Sequence, residues 1–158
     1  MNLFSKKHSL LAVCNGRAAD ISEIPDEALS SGMLGLGYGI DPSDGLFCSP
    51  VDGRVESIAE SLHAYTIVTS SGLDLLLHIG VDTVTLGGKG FTPLVKKGAA
   101  VQAGTPLVQV DLDLIREAGL PTFSAVLITD TDRLGKTDYQ FGQVAVGKDA
   151  VMTFRLKQ

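Results

Sequence analysis

Short apolar segments separated by turn-forming residues run through most of this chain. Its 158 residues include 18 glycines and 6 prolines, and Asp52-Gly53, Ser70-Ser71-Gly72 and Gly104-Thr105-Pro106 are typical turn sequences. Few segments keep a helical apolar period long enough to form an amphipathic helix. The pattern therefore predicts an all-β fold: an antiparallel β-sandwich or barrel-like single domain with at most short helical segments.

The apolar runs place the strands and one helix of this predicted domain. The best helix spans 112–118, with Asp111 as its N-cap and Gly119 just past its end. We take residues 1–20 as an N-terminal lead-in and residues 21–158 as the domain. The predicted strands are 45–49, 53–59, 63–69, 73–80, 107–111, 124–129 and 150–156.

Composition excludes several classes of function. A net charge of -5 and a pI of about 5.0, without a lysine- or arginine-rich cluster, argue against nucleic acid as a partner. No apolar run approaches the roughly 18 residues needed to cross a bilayer, so we expect no direct membrane insertion. A hydrophobic content of 44% supports a folded core. We also expect the chain to be cytoplasmic.

The segment from residue 73 to residue 81 alternates in the manner of a half-buried strand. Its odd positions are all apolar, and its even positions include His78. The run before it, which contains His63, is joined to it through Ser70 and Ser71. A β-hairpin is the simplest interpretation of the two runs.

A two-residue turn at Ser70-Ser71 would place Thr69 opposite Gly72 and His63 opposite His78. The two histidine Cβ atoms would then lie about 4.5–5.5 Å apart on one face, whereas a slip of one residue would separate them. The core face would carry Ala64, Thr66 and Val68 against Leu73, Leu75 and Leu77. The histidine face would carry Tyr65, Ile67 and Leu76, a partly apolar patch suited to docking another protein.

Two facing histidines suit more than one chemistry. A neutral imidazole offers one nucleophilic nitrogen if its other nitrogen is held as a donor, and a second histidine can donate to an arriving anion. This arrangement suits phosphoryl transfer, in which positioning and charge stabilisation dominate. It would also suit a zinc-dependent hydrolase with Asp82 as a further ligand, or a regulatory binding module that uses the same face.

Three sequence strings resemble the glucose-family IIA components of the bacterial phosphoenolpyruvate-dependent sugar phosphotransferase system. They are LLLHIGVDTVTLGGKGF at 75–91, SPVDGRV at 49–55 and His-Ala-Tyr at 63–65. The separation of 15 positions between His63 and His78 also matches the family. The resemblance extends from about residue 21 to residue 127.

The resemblance implies a β-sandwich that receives a phosphoryl group from the phosphocarrier HPr and passes it to a cysteine of a sugar-specific IIB domain. It implies phosphorylation of His78 on Nε2 and stabilisation of the phosphoryl oxygens by His63. It further implies that the Gly80 carbonyl accepts from Nδ1 of His78, and that the Ser61 hydroxyl orients His63. No cofactor is expected, because the donor already carries an activated phosphoryl group.

We expect the partner proteins to contact a surface around the two histidines. The residues predicted to form it are Asp82, Leu76, Tyr65, Val84 and Leu29. Leu29 and Leu76 occupy positions where the family often has phenylalanines around the site. No metal ligand is assigned.

Overall fold

Antiparallel strands make up most of the chain in the computed structural model, which describes residues 6–157. The first five residues of the predicted lead-in and Gln158 lie outside the described residues. The strands are β1 (His8–Leu11), β2 (Gly16–Ala19), β3 (Leu36–Pro42), β4 (Leu46–Cys48), β5 (Gly53–Ile58), β6 (Ala64–Thr69), β7 (Asp74–His78), β8 (Phe91–Pro93), β9 (Ala100–Val101), β10 (Pro106–Val110), β11 (Ser124–Ile128), β12 (Leu134–Tyr139), β13 (Gly142–Val144) and β14 (Ala150–Leu156).

The strands of residues 6–157 form one large and two small sheets. The large sheet has eight strands in the order β13-β2-β3-β11-β7-β6-β5-β9. The small sheets each have three strands, in the orders β1-β14-β12 and β4-β10-β8. Residues from all three sheets, among them Tyr38, Phe47 and Met152, belong to one hydrophobic core. The chain is thus a single all-β domain, as the sequence predicts.

Helical structure is short. Helix α1 is Glu27–Ser30 and helix α2 is Leu112–Glu117, and the 3-10 helices are Ile21–Glu23, Thr83–Leu86 and Thr131–Arg133. The Asp111 side chain accepts from the Leu114 N–H and caps α2, and Gly119 follows with a φ of 77°. The predicted helix and both of its end signals are confirmed.

The seven predicted strands are present, each within two residues of its predicted ends. Strand β3 escaped prediction because two glycines interrupt its apolar pattern. A Cβ added at Gly37 would collide with the Val126 carbonyl of β11, and one at Gly39 would press against Ile24 and Phe123. Close approach of neighbouring elements therefore requires glycine inside this strand.

Within the predicted lead-in, residues 8–11 and 16–19 form strands of the sheets. Strand β1 pairs with β14, and β2 pairs with both β3 and β13. Leu10 and Ala12 are completely buried. The described part of this segment is therefore integral to the fold.

The hairpin of β6 and β7 forms in a register one residue away from the predicted one. Val68 pairs with Asp74 and Ala64 pairs with His78, so the predicted pairing of His63 with His78 is wrong. The loop has three residues, Ser70 to Gly72, and Gly72 has a φ of 84°. A left-handed glycine closing a three-residue loop is a common hairpin geometry, and it shifts the ladder by one.

The register change reverses the two faces of β6. Tyr65 and Ile67 are fully buried against Leu75 and Leu77, whereas the residues predicted for the core face are only half-buried. Those residues are Ala64, Thr66 and Val68. The prediction that Tyr65 and Ile67 lie on the exposed histidine face is wrong.

Candidate functional site

His78 is the last residue of β7, and its neighbours across both ladders are small. It pairs with Ala64 on β6 and with Ala125 on β11. Residues paired across an antiparallel ladder project from the same face. The imidazole therefore stands between two methyl groups, partly open to solvent, where a bulky side chain on either strand would crowd it.

His63 reaches His78 although the two are not paired residues. It precedes the first residue of β6 and follows Leu62, whose φ of 63° is left-handed, so strand alternation does not fix its side. The His63 carbonyl accepts from the Ile79 N–H at 2.8 Å. The two rings lie 5.1 Å apart between centroids, at an interplanar angle of 86°. The predicted meeting of the histidines is therefore present, by a different backbone route.

A backbone carbonyl fixes the protonation pattern of His78. Nδ1 of His78 lies 2.9 Å from the carbonyl oxygen of Gly80, the contact that the family resemblance implies. Because a carbonyl oxygen can only accept, Nδ1 carries the hydrogen and donates it. In the neutral ring, Nε2 then holds the lone pair.

Burial lowers the pKa of both histidines. For His78 desolvation lowers the pKa, and the Gly80 hydrogen bond and the carboxylates of Asp26 and Asp82 oppose the shift. For His63 desolvation comes first and the neighbouring His78 adds to it, while the backbone of Ser61 raises the pKa. Both rings are thus biased towards the neutral form, which can act as a nucleophile.

Nδ1 of His63 is buried and makes no short, well-aligned hydrogen bond within the described residues. The residue is only 8% exposed. A backbone hydrogen bond with Ser61 raises the pKa of His63, and the orienting role that the resemblance implies for the Ser61 hydroxyl stays a prediction.

Two carboxylates border the site. Asp26 caps helix α1 by accepting from the Leu29 N–H, and Asp82 has a left-handed φ of 59° just after the Gly80 turn. Both line an open cleft of about 630 Å³, together with Val81 and Met33. Asp26 was not predicted, since nothing in its local sequence distinguishes it from an ordinary helix cap.

The five predicted partner-binding residues divide into two groups. Asp82 and Val84 are exposed, Val84 by 53%, and Leu76 is half-buried on the same face of β7 as His78. Tyr65 is completely buried and Leu29 is only 2% exposed, so neither contributes to an exposed surface. Leu29 instead packs in a small second core with Ile24, Val81, Ala125 and Leu127.

Residues 6–157 contain no group of three or more His, Cys, Asp or Glu side chains arranged to hold a metal ion. No helix in this part of the chain is long and apolar enough to span a membrane.

The sequence and the fold match a known class of proteins. Residues 8–134 match the family model of the phosphoenolpyruvate-dependent sugar phosphotransferase system, EIIA 1. The glucose permease IIA of Mycoplasma capricolum has the same fold, with a TM-score of 0.89, 34% identity, and coverage of 97% of this chain and 99% of its own.

Curated relatives agree with the structural match. The glucose-specific EIIA component of Bacillus cereus is 35% identical over 154 residues, covering 97% of this chain and 93% of the relative. The glucose-specific EIICBA component of Streptococcus pneumoniae is 41% identical over 142 residues, covering 87% of this chain and 20% of that longer protein. This chain belongs to the EIIA 1 family of the sugar phosphotransferase system, whose members take part in phosphoryl transfer during sugar uptake.

Proposed function

We propose that this chain is a phosphoryl carrier that accepts phosphate from phospho-HPr on Nε2 of His78 and passes it to a cysteine of a sugar-specific IIB domain. The observation that carries the proposal is the hydrogen bond between Nδ1 of His78 and the Gly80 carbonyl. It leaves the Nε2 lone pair available beside a second imidazole. Membership of the EIIA 1 family supports the same reaction class.

In the first half-reaction the Nε2 lone pair of His78 attacks the phosphorus carried by HPr. A bond from Nε2 to phosphorus forms, and the bond from phosphorus to the donor breaks, with its electron pair leaving on HPr. The attack requires a neutral His78, and burial favours that form by lowering its pKa. In the second half-reaction a IIB thiolate attacks the phosphorus, and the Nε2 lone pair returns to His78.

His63 would stabilise the phosphoryl group during both steps. Its ring lies edge-on to that of His78 at 5.1 Å, close enough for an N–H of His63 to donate to a phosphoryl oxygen on the acceptor nitrogen. Donors positioned before the reaction stabilise developing charge without a reorganisation cost. Onward transfer depends on this donation because the hydrogen bond strengthens as charge develops on the phosphoryl oxygens in the transition state of that step.

The partners would dock on the surface formed by Leu76, Asp82 and Val84. Val84 supplies exposed apolar area, and Asp82 with Asp26 supplies negative charge that favours a positively charged partner surface. Tyr65 and Leu29 are left out of this surface because both are buried. The Streptococcus pneumoniae relative, named an EIICBA component, is consistent with an A unit that works beside a B unit.

Radiolabelled transfer tests the proposal. Incubation with labelled phosphoenolpyruvate, enzyme I and HPr should place an acid-labile, alkali-stable phosphate on the chain, and His78→Ala should abolish it. His63→Gln should still be labelled but should pass the label to a IIB domain at least about tenfold more slowly, because the support of the phosphoryl oxygens is lost.

The third histidine of the chain provides the matched control. His8 stacks on Phe154 in the small sheet formed by β1, β14 and β12, so His8→Ala should be labelled and should transfer like the unmodified chain. Labelling that survives in His78→Ala would refute the acceptor assignment. Label that accumulates on the unmodified chain without reaching the IIB cysteine would favour a regulatory module instead.

A further inference from the structure

The carbonyl that holds His78 belongs to a turn that is itself fixed by buried hydroxyls. Ser124, the first residue of β11, has no exposed surface. Its Oγ accepts from the Gly80 N–H at 3.1 Å and donates to the Thr122 carbonyl at 2.9 Å. Since the Thr122 carbonyl takes the hydroxyl hydrogen, the Ser124 oxygen can only act as an acceptor towards Gly80.

We infer that Ser124 is a positioning residue for the phosphoryl acceptor, because it holds the Gly80 turn that fixes the tautomer of His78. The inference rests on the proposed role of His78. Ser124 would act through Gly80, without contact with the phosphoryl group.

Both peptide groups that flank Gly80 are restrained. In the peptide group that joins Ile79 to Gly80, the Gly80 N–H donates to the Ser124 hydroxyl. The Ile79 carbonyl of the same group accepts from the Thr83 hydroxyl. In the peptide after it, the Gly80 carbonyl accepts from His78 and the Val81 N–H donates to the Pro121 carbonyl at 3.1 Å. The direction of the Gly80 carbonyl is therefore set by partners on both sides.

Gly80 needs this restraint because of its own conformation. Its φ of 71° is left-handed, and an added Cβ would collide with Thr83. Glycine fits the position, but it is also the residue with the most backbone freedom to lose. The hydrogen bonds that Ser124 accepts from Gly80 and Thr83 donates to Ile79 restrict this backbone freedom.

Loss of the Ser124 hydroxyl should weaken the hold on Nδ1 of His78. The Gly80 N–H would then be buried without its acceptor, and the turn could relax away from His78. More of the neutral His78 would carry its hydrogen on Nε2, the nitrogen that must attack phosphorus. Phosphoryl acceptance should slow about fivefold, the effect expected for the loss of one hydrogen bond.

Nitrogen-15 NMR of histidine-labelled protein reads the tautomer directly. In the unmodified chain the His78 resonances should report hydrogen on Nδ1, and the Gly80 amide should be protected from exchange with solvent. In Ser124→Ala the Nδ1-H fraction and the pKa of His78 should fall, while the titration of His8, on a different sheet, keeps its midpoint. These readouts do not depend on phosphoryl transfer, so they separate this inference from the proposed function.

Ser49→Ala provides the matched control. Ser49 is equally buried, and its hydroxyl bonds within its own loop, donating to the Val51 carbonyl at 2.6 Å and accepting from the Val51 N–H at 3.4 Å. It should leave the His78 tautomer and the rate of phosphoryl acceptance unchanged.

Three results would overturn the inference: an unaltered His78 tautomer in Ser124→Ala, an equal change in Ser49→Ala, or rapid exchange of the Gly80 amide in the unmodified chain. The last measurement needs no variant, so the inference stays testable if Ser124→Ala does not fold. Loss of the label in His78→Ala tests the proposed function separately.

Discussion

The chemistry of His78 depends on which of its two nitrogens carries hydrogen. Nδ1 donates to the Gly80 carbonyl, and desolvation lowers the pKa of the ring. The two effects act on different equilibria: the hydrogen bond selects the tautomer, and burial selects the neutral state. A nucleophilic Nε2 requires both.

The lowered histidine pKa values predict a pH-dependent stability. A histidine with a lower pKa in the folded chain binds its proton more weakly there than in the unfolded chain. The free energy of unfolding should therefore be highest above pH 6.5, the ordinary histidine pKa, and should decline as the pH falls through the lowered values of His63 and His78.

Urea unfolding at pH 7.5, 6.5 and 5.5 measures this dependence. In the double variant His63→Gln, His78→Gln the free energy of unfolding should decline less steeply as the pH falls. The decline that remains includes the contribution of His8, whose pKa is also lowered. An identical decline in the double variant and the unmodified chain would show that the site histidines are not desolvated as described.

The sequence reveals the two histidines and Gly80 because they lie in two recognisable strings, 63–65 and 75–91, that are close together in the chain. It does not reveal Ser124, which reaches Gly80 from 44 positions away along the chain. Nor does it reveal Asp26, which comes near His78 only after the segment 21–30 packs on the large sheet. A contact between distant elements leaves no local pattern to detect.

At the level of elements, the hairpin of β6 and β7 shows how one loop residue decides which side chains are buried. Counting Gly72 in the loop shifts every pair by one and turns Tyr65 and Ile67 into the core. The string Ser70-Ser71-Gly72 is compatible with a two-residue or a three-residue loop, so composition alone does not choose between them. The alternation in β7 was predictable, whereas the faces of β6 were not.

The left-handed conformation of Gly72 predicts a specific cost of substitution. Gly72→Ala should lower the free energy of unfolding by about 1–2 kcal/mol, the cost of a left-handed conformation for an L-residue. Steric crowding adds little, because the nearest atom to an added Cβ is the tip of Arg133 at 3.7 Å. Chemical denaturation measures the change.

Ser70→Ala, in the same loop and exposed, should change stability by less than about 0.5 kcal/mol. Equal costs for the two substitutions would contradict the three-residue loop, and with it the observed register.

For the whole molecule, the core depends on strands from both ends of the chain. Strand β14 lies between β1 and β12, so the N-terminal strand protects one edge of the C-terminal strand. The all-β class and the single domain were predictable from turn spacing. The role of residues 8–20 was not, because β1 and β2 have four residues each and find their partners only in the folded chain.

Leu10→Ala tests this role. Leu10 is completely buried in the main core, and its truncation should lower the free energy of unfolding by about 2–5 kcal/mol. Leu94→Ala, at a position 50% exposed, should cost less than about 1 kcal/mol in the same urea titration. If Leu10→Ala lowered the free energy of unfolding no more than Leu94→Ala does, residues 8–20 would be a lead-in and not part of the core.

The most direct test of the account is the identity of the atom that receives phosphate. Phosphorylating the chain with phosphoenolpyruvate, enzyme I and HPr, after labelling its histidines with nitrogen-15, allows the phosphorylated nitrogen to be identified by NMR. We expect phosphate on Nε2 of His78, with Nδ1 still carrying hydrogen towards Gly80. Phosphate on Nδ1 of His78, on His63 or on His8 would contradict it.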